Sequence, residues 1–143
     1  MGLRDLTVRK FRTEDAKAVA AIINSSLQSS GGSAEITLKH VLTLSNNRKM
    51  YVALNDHTIV GTASIDYDTI QVIYVREEYQ NQSVEEALIK LLEEIASNNG
   101  ILHVKLEADK SEQGLYKRLG YSTTEETTES ELGEFAIMEK FLT

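Results

Sequence analysis

The chain has 143 residues, of which 41% are hydrophobic and 26% charged, so it can bury one core, and we expect a single domain over residues 1–143. The formal net charge of −7 argues against a nucleic-acid partner, which requires a basic surface, and cysteine is absent, which removes disulfides, thiolate metal ligands and a cysteine nucleophile. No apolar run is long enough to span a bilayer and no secretion signal opens the sequence, so we expect a cytoplasmic protein without a membrane partner.

The first half of the chain predicts an edge strand, two helices and a β-hairpin. Alternation over residues 6–11 predicts a strand at a sheet edge. Thr13 as an N-cap and the apolar stripe that follows predict a helix from about Thr13 to Leu27, and the small polar stretch 25–33 predicts a flexible loop. Further predicted elements are a short helix after an N-cap at Thr37, strands over residues 50–54 and 58–65, a tight connection at 55–57 and a turn at 66–68.

Residues 70–97 form the stretch on which the rest of the prediction depends. A strand over residues 70–75 runs through a polar turn into an amphipathic helix that begins at Val84, with apolar residues at intervals of three and four. The start of a helix presents unpaired N–H groups and the positive end of the helix dipole. Such a strand-to-helix junction is therefore a general receptor for phosphate.

The second half of the chain predicts a strand, a helix and a terminal hairpin. Residues 98–100 (Asn-Asn-Gly) predict the end of the long helix, and the strand over 101–106 should then lie parallel to the strand over 70–75 through a right-handed crossover. A short helix around Leu115 to Leu119 should stop at Gly120, followed by two antiparallel strands, the first of them exposed. The chain as a whole predicts an α+β protein with about seven strands in a mixed sheet and about four helices.

Three stretches resemble the GNAT superfamily of N-acetyltransferases in the family's order and spacing. IQVIYVREEYQNQSVEEALIKLLEEIA is similar to the cofactor motif, LEADKSEQGLYKRLGYS to the next motif, and FAIMEKFL to the last strand. The resemblance implies the GNAT acyl-CoA N-acyltransferase fold and an acetyl-CoA-dependent N-acetyltransferase. Its substrate would be a primary amine of a small molecule or peptide, and the family's shared last strands allow a homodimer.

The resemblance also implies where acetyl-CoA would bind. Main-chain groups of Ile73, Tyr74 and Val75 would pair with pantetheine in a V-shaped gap between the two parallel strands. The phosphates would lie on the residues that match the family's loop: Gln80, Asn81, Gln82, Ser83, Val84 and Glu85.

Two residues depart from that loop pattern. Ser83 stands where the family has glycine, and Glu85 stands where it has glycine or alanine. A carboxylate about 4 Å from a phosphate costs roughly 1 to 4 kcal/mol at intermediate to high dielectric, and Glu86 adds a second charge. No lysine or arginine lies between Glu77 and Glu86 to offset them.

A different interpretation of the same residues needs no ligand. Ser83 and Glu86 have the spacing of a capping box, in which each side chain bonds the other residue's backbone N–H. We take this as the local description of the helix start, and it would leave fewer amides for phosphate. The alternative function is therefore a GNAT-fold module with a degenerate cofactor loop that serves as a non-catalytic binding or regulatory domain.

The resemblance makes Tyr116 the candidate acid for the departing thiolate, with a buried core tyrosine as the equal alternative, and it makes the N–H of Val75 the oxyanion donor. Asp68 is our candidate general base, although Asp66, Gln71 and Glu107 lie on or beside the same strands and solvated turn carboxylates are common. The three histidines, at positions 40, 57 and 103, do not have metal-ligand spacing, so we expect no metal.

Overall fold

The computed structural model describes residues 5–29, 35–80, 83–108, 110–130 and 133–142. Within these ranges the chain forms seven strands and four α-helices, which confirms the predicted α+β class. The strands are β1 (Leu6–Lys10), β2 (Lys49–Asn55), β3 (Thr58–Asp66), β4 (Thr69–Val75), β5 (His103–Ala108), β6 (Ser122–Ser130) and β7 (Gly133–Phe141). The helices are α1 (Ala16–Ser29), α2 (Leu38–Asn47), α3 (Val84–Asn98) and α4 (Gln113–Arg118).

The strands form one mixed sheet in the order β1-β2-β3-β4-β5-β7-β6. β1 lies at an edge, as its alternation predicts, and β6 lies at the other edge. Every neighbouring pair is antiparallel except β4 and β5, which are parallel. The chain reaches β5 from β4 through α3, and the parallel pairing of these two strands is as predicted.

Helices cover both faces of the sheet, so two apolar layers hold the fold together. On one face α3 buries Val84, Leu88 and Leu92 completely against the central strands. On the other face α1 buries Val19 and Ile23 against β2 and α2. Burying one such side chain contributes about 1.5–3 kcal/mol. Within the described ranges, none of the helices is both long and apolar enough to cross a membrane.

The predicted helix stops are confirmed. At the end of α3 the Gly100 N–H donates to the Ser97 carbonyl at 3.0 Å and the Ile101 N–H to the Ala96 carbonyl at 2.9 Å. Gly100 has φ +78, a conformation that glycine adopts without strain. The same pair of bonds ends α4 at Gly120, whose φ is +98. At the start of α2, Thr37 accepts the His40 N–H at 3.2 Å, as predicted.

The predicted start of the first helix is wrong. Thr13 is not its N-cap, because residues Thr13–Asp15 form a 3-10 turn before α1 begins at Ala16. The capping atom belongs to Asp15, whose Oδ2 accepts the Arg12 N–H at 2.7 Å. The flexible loop expected over residues 25–33 begins later than predicted, because α1 continues to Ser29. Residues 30–34 lie outside the described ranges.

A polar cluster ties α3 to the C-terminal strands. Glu93 of α3 accepts the Tyr121 hydroxyl at 2.7 Å and the Lys140 ammonium at 3.1 Å. Burial, followed by this hydrogen bond and the charge of Glu93, raises the pKa of Tyr121. The Gly-Tyr pair at the end of α4 therefore stops the helix and then anchors the next strand.

Candidate functional site

The central feature of the site is an opening between β4 and β5. The two strands pair only at Thr69 with Lys105 and at Ile70 with Leu106. β5 stays paired with β7 over its whole length, from His103 to Ala108, while β4 stays with β3 as far as Val75. Beyond Ile70 the two halves of the sheet therefore separate like the arms of a V.

A β-bulge in β4 lies where the strands separate. Tyr74 pairs with Thr62 and Gln71 with Ser64, so three steps along β4 match two steps along β3. An extra residue bends a strand and increases its twist, and bulges are common beside active sites. We attribute the separation of β4 from β5 to this bend.

The bent strand exposes main-chain groups to the opening. The Arg76 N–H donates to the Val60 carbonyl of β3 at 2.8 Å. Because successive residues of a strand direct their N–H and C=O groups to opposite edges, those of Val75 face the other way, towards the opening. The Gln80 side-chain amide donates to the Val75 carbonyl at 3.2 Å, and the N–H of Val75 is the main-chain donor that a ligand in the opening would meet.

The start of α3 does not have the predicted capping box. Ser83 occupies the N-cap position with φ 70 and ψ 8, and within the described part of the helix its hydroxyl caps no amide. Glu86 forms an ion pair with Lys90 at 2.9 Å instead of turning back to Ser83. The interpretation that these two side chains consume the helix-start amides is therefore wrong.

The conformation of Ser83 explains why the sequence pattern has glycine there. A positive φ belongs to the left-handed region, which costs an L-residue about 1–2 kcal/mol and costs glycine almost nothing. Ser83 thus keeps the backbone shape that the glycine of the resembled motif would adopt, but with strain.

A real glycine, Gly61, places the start of α3 directly on the sheet. A Cβ at Gly61 would lie 3.1 Å from Val84 Cγ1 and 3.2 Å from the Tyr74 carbonyl oxygen. Val84, the first residue of α3, is completely buried. This close approach sets the helix start beside the open end of β4.

Cations from elsewhere in the chain lie near the acidic helix start. Hydrogen bonding and charge from Lys90, and then the charge of Arg118, lower the pKa of Glu86. Arg118 comes from the end of α4, 32 positions along the chain from Glu86. Residues 77–86 contain neither Lys90 nor Arg118, so the local sequence of the loop does not show that these cations lie here.

Tyr116 lies in the hydrophobic core on the α3 side of the sheet. It is 1% exposed, and its ring packs edge-on against Tyr121 with a centroid distance of 6.1 Å. Its hydroxyl donates to Glu112 Oε2 at 3.4 Å. Tyr116 is thus a buried core aromatic with a hydroxyl that has a polar partner, and its catalytic role stays a prediction.

Glu112 is a charged neighbour of Tyr74 and Tyr116 that the sequence alone does not single out. Burial, and then the charge of Glu112, raise the pKa of Tyr74 on β4, so this carboxylate approaches both Tyr74 and Tyr116. It therefore lies between β4 and α4. The available signal was its spacing, because Glu112 precedes Tyr116 by four residues, one helical turn.

The candidate bases lie apart. The Asp68 carbonyl accepts the Lys105 N–H at 2.9 Å and its Oδ1 accepts the Thr69 hydroxyl at 2.9 Å, which puts Asp68 at the closed end of the V. Asp66 and Glu107 are exposed. Gln71 lies one residue beyond the last β4–β5 pair.

Asn81 and Gln82 of the expected phosphate loop lie outside the described residues.

Comparisons with known proteins agree with this geometry. Residues 13–142 match the sequence profile of the acetyltransferase (GNAT) domain, and no curated protein matches the chain.

A GCN5-related N-acetyltransferase from Rhodopseudomonas palustris is 23% identical, with a TM-score of 0.87 over 99% of both chains. The PaiA N-acetyltransferase from Thermoplasma acidophilum, in complex with coenzyme A, is 19% identical, with a TM-score of 0.72 over 96% of this chain and 99% of that one. YncA from Salmonella typhimurium, with its cofactor acetyl-CoA, is 16% identical, with a TM-score of 0.79 over 98% and 95%. The similarities to these structures give the chain the GNAT fold.

Proposed function

This chain belongs to the GNAT family of acetyltransferases, and we propose that it is an N-acetyltransferase that moves an acetyl group from acetyl-CoA to a primary amine of a small molecule or peptide. The observation that carries the proposal is the opening between β4 and β5, where pairing stops after Ile70. Two structural neighbours contain coenzyme A or acetyl-CoA, which supports acetyl-CoA as the donor. We assign the activity to one domain over residues 1–143.

Main-chain groups would hold the donor. The N–H of Val75 faces the opening, and Ile73 and Tyr74 complete the arm of β4 that would bind pantetheine. The residues matched to the phosphate loop are Gln80, Asn81, Gln82, Ser83, Val84 and Glu85. The Ser83 side chain does not cap the start of α3, which supports this assignment, because the amides of a helix start and the helix dipole attract an anion.

The reaction needs three tasks from this chain. Bound acetyl-CoA supplies an activated thioester, which the neutral amine attacks directly, forming the C–N bond as the C–S bond breaks. The Val75 N–H would donate to the carbonyl oxygen as negative charge develops on it. Tyr116 would protonate the departing sulfur, and Asp68, through water, would take the proton that the ammonium must lose.

Isothermal titration with acetyl-CoA tests the proposal. We expect binding with a dissociation constant of roughly 1–100 µM, in the range of typical enzyme substrates. Acetylation of an amine with release of the thiol should then be measurable with a panel of small amines and peptides. Silence in the titration up to millimolar acetyl-CoA would remove the enzyme and leave the non-catalytic module.

A further inference from the structure

Arg48 lies between α2 and β2, and its side chain reaches into the protein. Its Nη1 donates a hydrogen bond to Oε1 of Gln71 on β4. Its Nε is buried and has no hydrogen-bond partner among the described residues. The guanidinium is thus held in one place by a single neutral group.

The charge of this arginine is not balanced within the described part of the protein. No carboxylate there forms an ion pair with it, unlike Arg9, Arg12, Lys90 and Lys140. Arginine stays ionised in proteins, and the half-buried Arg48 side chain, whose Nε is out of contact with water, has lost part of its hydration without gaining a counter-ion. A ligand anion would offset that loss.

The position of Gln71 connects this cation to the opening. Gln71 follows Ile70, the last residue of β4 that pairs with β5, and lies within the bulged part of the strand. Its carbonyl accepts the hydroxyl of the buried Ser64 at 2.9 Å, which fixes the strand at this point. The guanidinium therefore lies beside the closed end of the V, where the two strands begin to separate.

Space for a small ligand adjoins Arg48. The residue lines a cavity of about 570 Å³ between the end of α2, the β3–β4 turn and the end of α3. Its lining is mixed, with apolar side chains such as Ile65, Ile95 and Ile101 beside polar or charged ones: Asn46, Asn47, Lys49, Asp66 and Asn99. This volume and lining suit a small molecule that has both apolar and polar parts.

We propose that Arg48 binds a carboxylate of the acceptor, so that the substrates of this enzyme are amines that also carry a carboxylate, as free amino acids do. The inference rests on the proposed function, since it assigns the acceptor class of the same site. A planar guanidinium fork matches a carboxylate in geometry and charge. In a chain of net charge −7, a specific cation is needed to retain an acceptor that carries an anionic group.

Matched probe pairs test this assignment. Common L-amino acids and their carboxamides differ only in the carboxylate, and binding of each to the full chain can be measured by titration with and without coenzyme A. At least one acid should bind about tenfold or more tightly than its amide. Arg48→Gln should abolish that preference, and Arg48→Lys should keep part of it because the charge remains. Lys39→Gln is the matched control, since Lys39 is an exposed cation of α2 that does not line this cavity, and it should change nothing.

The outcomes separate the two proposals. Acids that bind no better than their amides, or a preference that survives in Arg48→Gln, would overturn the role of Arg48 whatever the donor does. Failure of acetyl-CoA to bind would overturn the proposed function by itself. In the titration with acetyl-CoA, Arg48→Gln should retain the wild-type dissociation constant, because no donor contact is assigned to it.

Discussion

At the scale of single residues, the start of α3 shows how a substitution can change a side chain without changing the backbone. The sequence has serine where the resembled motif has glycine, and the S-x-x-E spacing suggests a cap. The observed φ of 70 rules out that cap geometry, because an N-cap residue that bonds its own helix lies in the extended region. Packing of Val84 on Gly61 fixes the entry of the chain, and Ser83 adopts the conformation that this entry requires.

We predict that Ser83→Gly stabilises the protein. Relief of the left-handed strain exceeds the extra chain entropy that glycine loses, so the free energy of unfolding should rise by about 0.5–1 kcal/mol. Ser97→Gly is the control, because Ser97 is an exposed residue in the last turn of the same helix. There glycine should lower stability by about 0.5 kcal/mol. Urea unfolding of both variants measures the difference, and a loss of stability in Ser83→Gly would contradict the strain argument.

Glu85 provides a second prediction at this scale. If phosphate binds at the start of α3, removal of the carboxylate by Glu85→Gly or Glu85→Gln should strengthen acetyl-CoA binding several-fold, since like charge costs roughly 1 to 4 kcal/mol at such distances. Glu94→Gln removes the same charge from a distant, exposed position of the same helix and should have little effect. Unchanged or weaker affinity in both Glu85 variants would count against the proposed phosphate position.

At the scale of elements, the edge strand β1 is attached to the 3-10 turn before α1 by one buried carboxylate. Asp15 is 4% exposed. Its carboxylate accepts hydrogen bonds from both terminal nitrogens of Arg9, with N–O distances of 2.8 and 3.0 Å, and one from the Arg12 N–H. The hydrogen bond from Arg9 is the largest cause of the lowered pKa of Asp15. An edge strand has a neighbour on one side only, so this anchor replaces part of the missing pairing.

We expect Asp15→Asn to lower the free energy of unfolding by about 2–3 kcal/mol at pH 7, because it leaves Arg9 without its anion. The native pKa of Asp15 is lower than the unfolded one, so its stabilisation is complete above about pH 4–5 and is lost as the pH falls through the native pKa. The gap between wild type and variant in urea unfolding should therefore shrink between pH 5 and pH 2.

The neighbouring acidic residue serves as the control for this measurement. The Glu14 side chain is 73% exposed and lies 3.8 Å from Arg12, so Glu14→Gln should cost less than about 1 kcal/mol. An Asp15→Asn deficit of the same size at pH 2 and pH 7 would show that packing, and not charge, provides the anchor.

At the scale of the whole molecule, the site exists because the two halves of the sheet are joined by only two residue pairs, both between β4 and β5. The unit β1-β2-β3-β4 and the unit β5-β7-β6 are each paired internally, and they meet only near Ile70. α3 links the two units in the chain and packs on β3 and β4, so the opening persists without strain on either ladder. Acetyl-CoA would then bind where β4 and β5 are no longer paired, and the main-chain amides along that edge of β4 would be available to it.

The sequence by itself determined the order of elements, the parallel crossover and the two helix stops at Gly100 and Gly120. These features depend on periodicity and on hydrogen bonds between residues at most five positions apart, so local chemistry decides them. Only the tertiary structure decided at which residues β4 bends away from β5, that Ser83 takes a positive φ, and that Arg48 meets Gln71, 23 positions away. Those outcomes depend on the register between strands and on packing between distant segments, which no local pattern specifies.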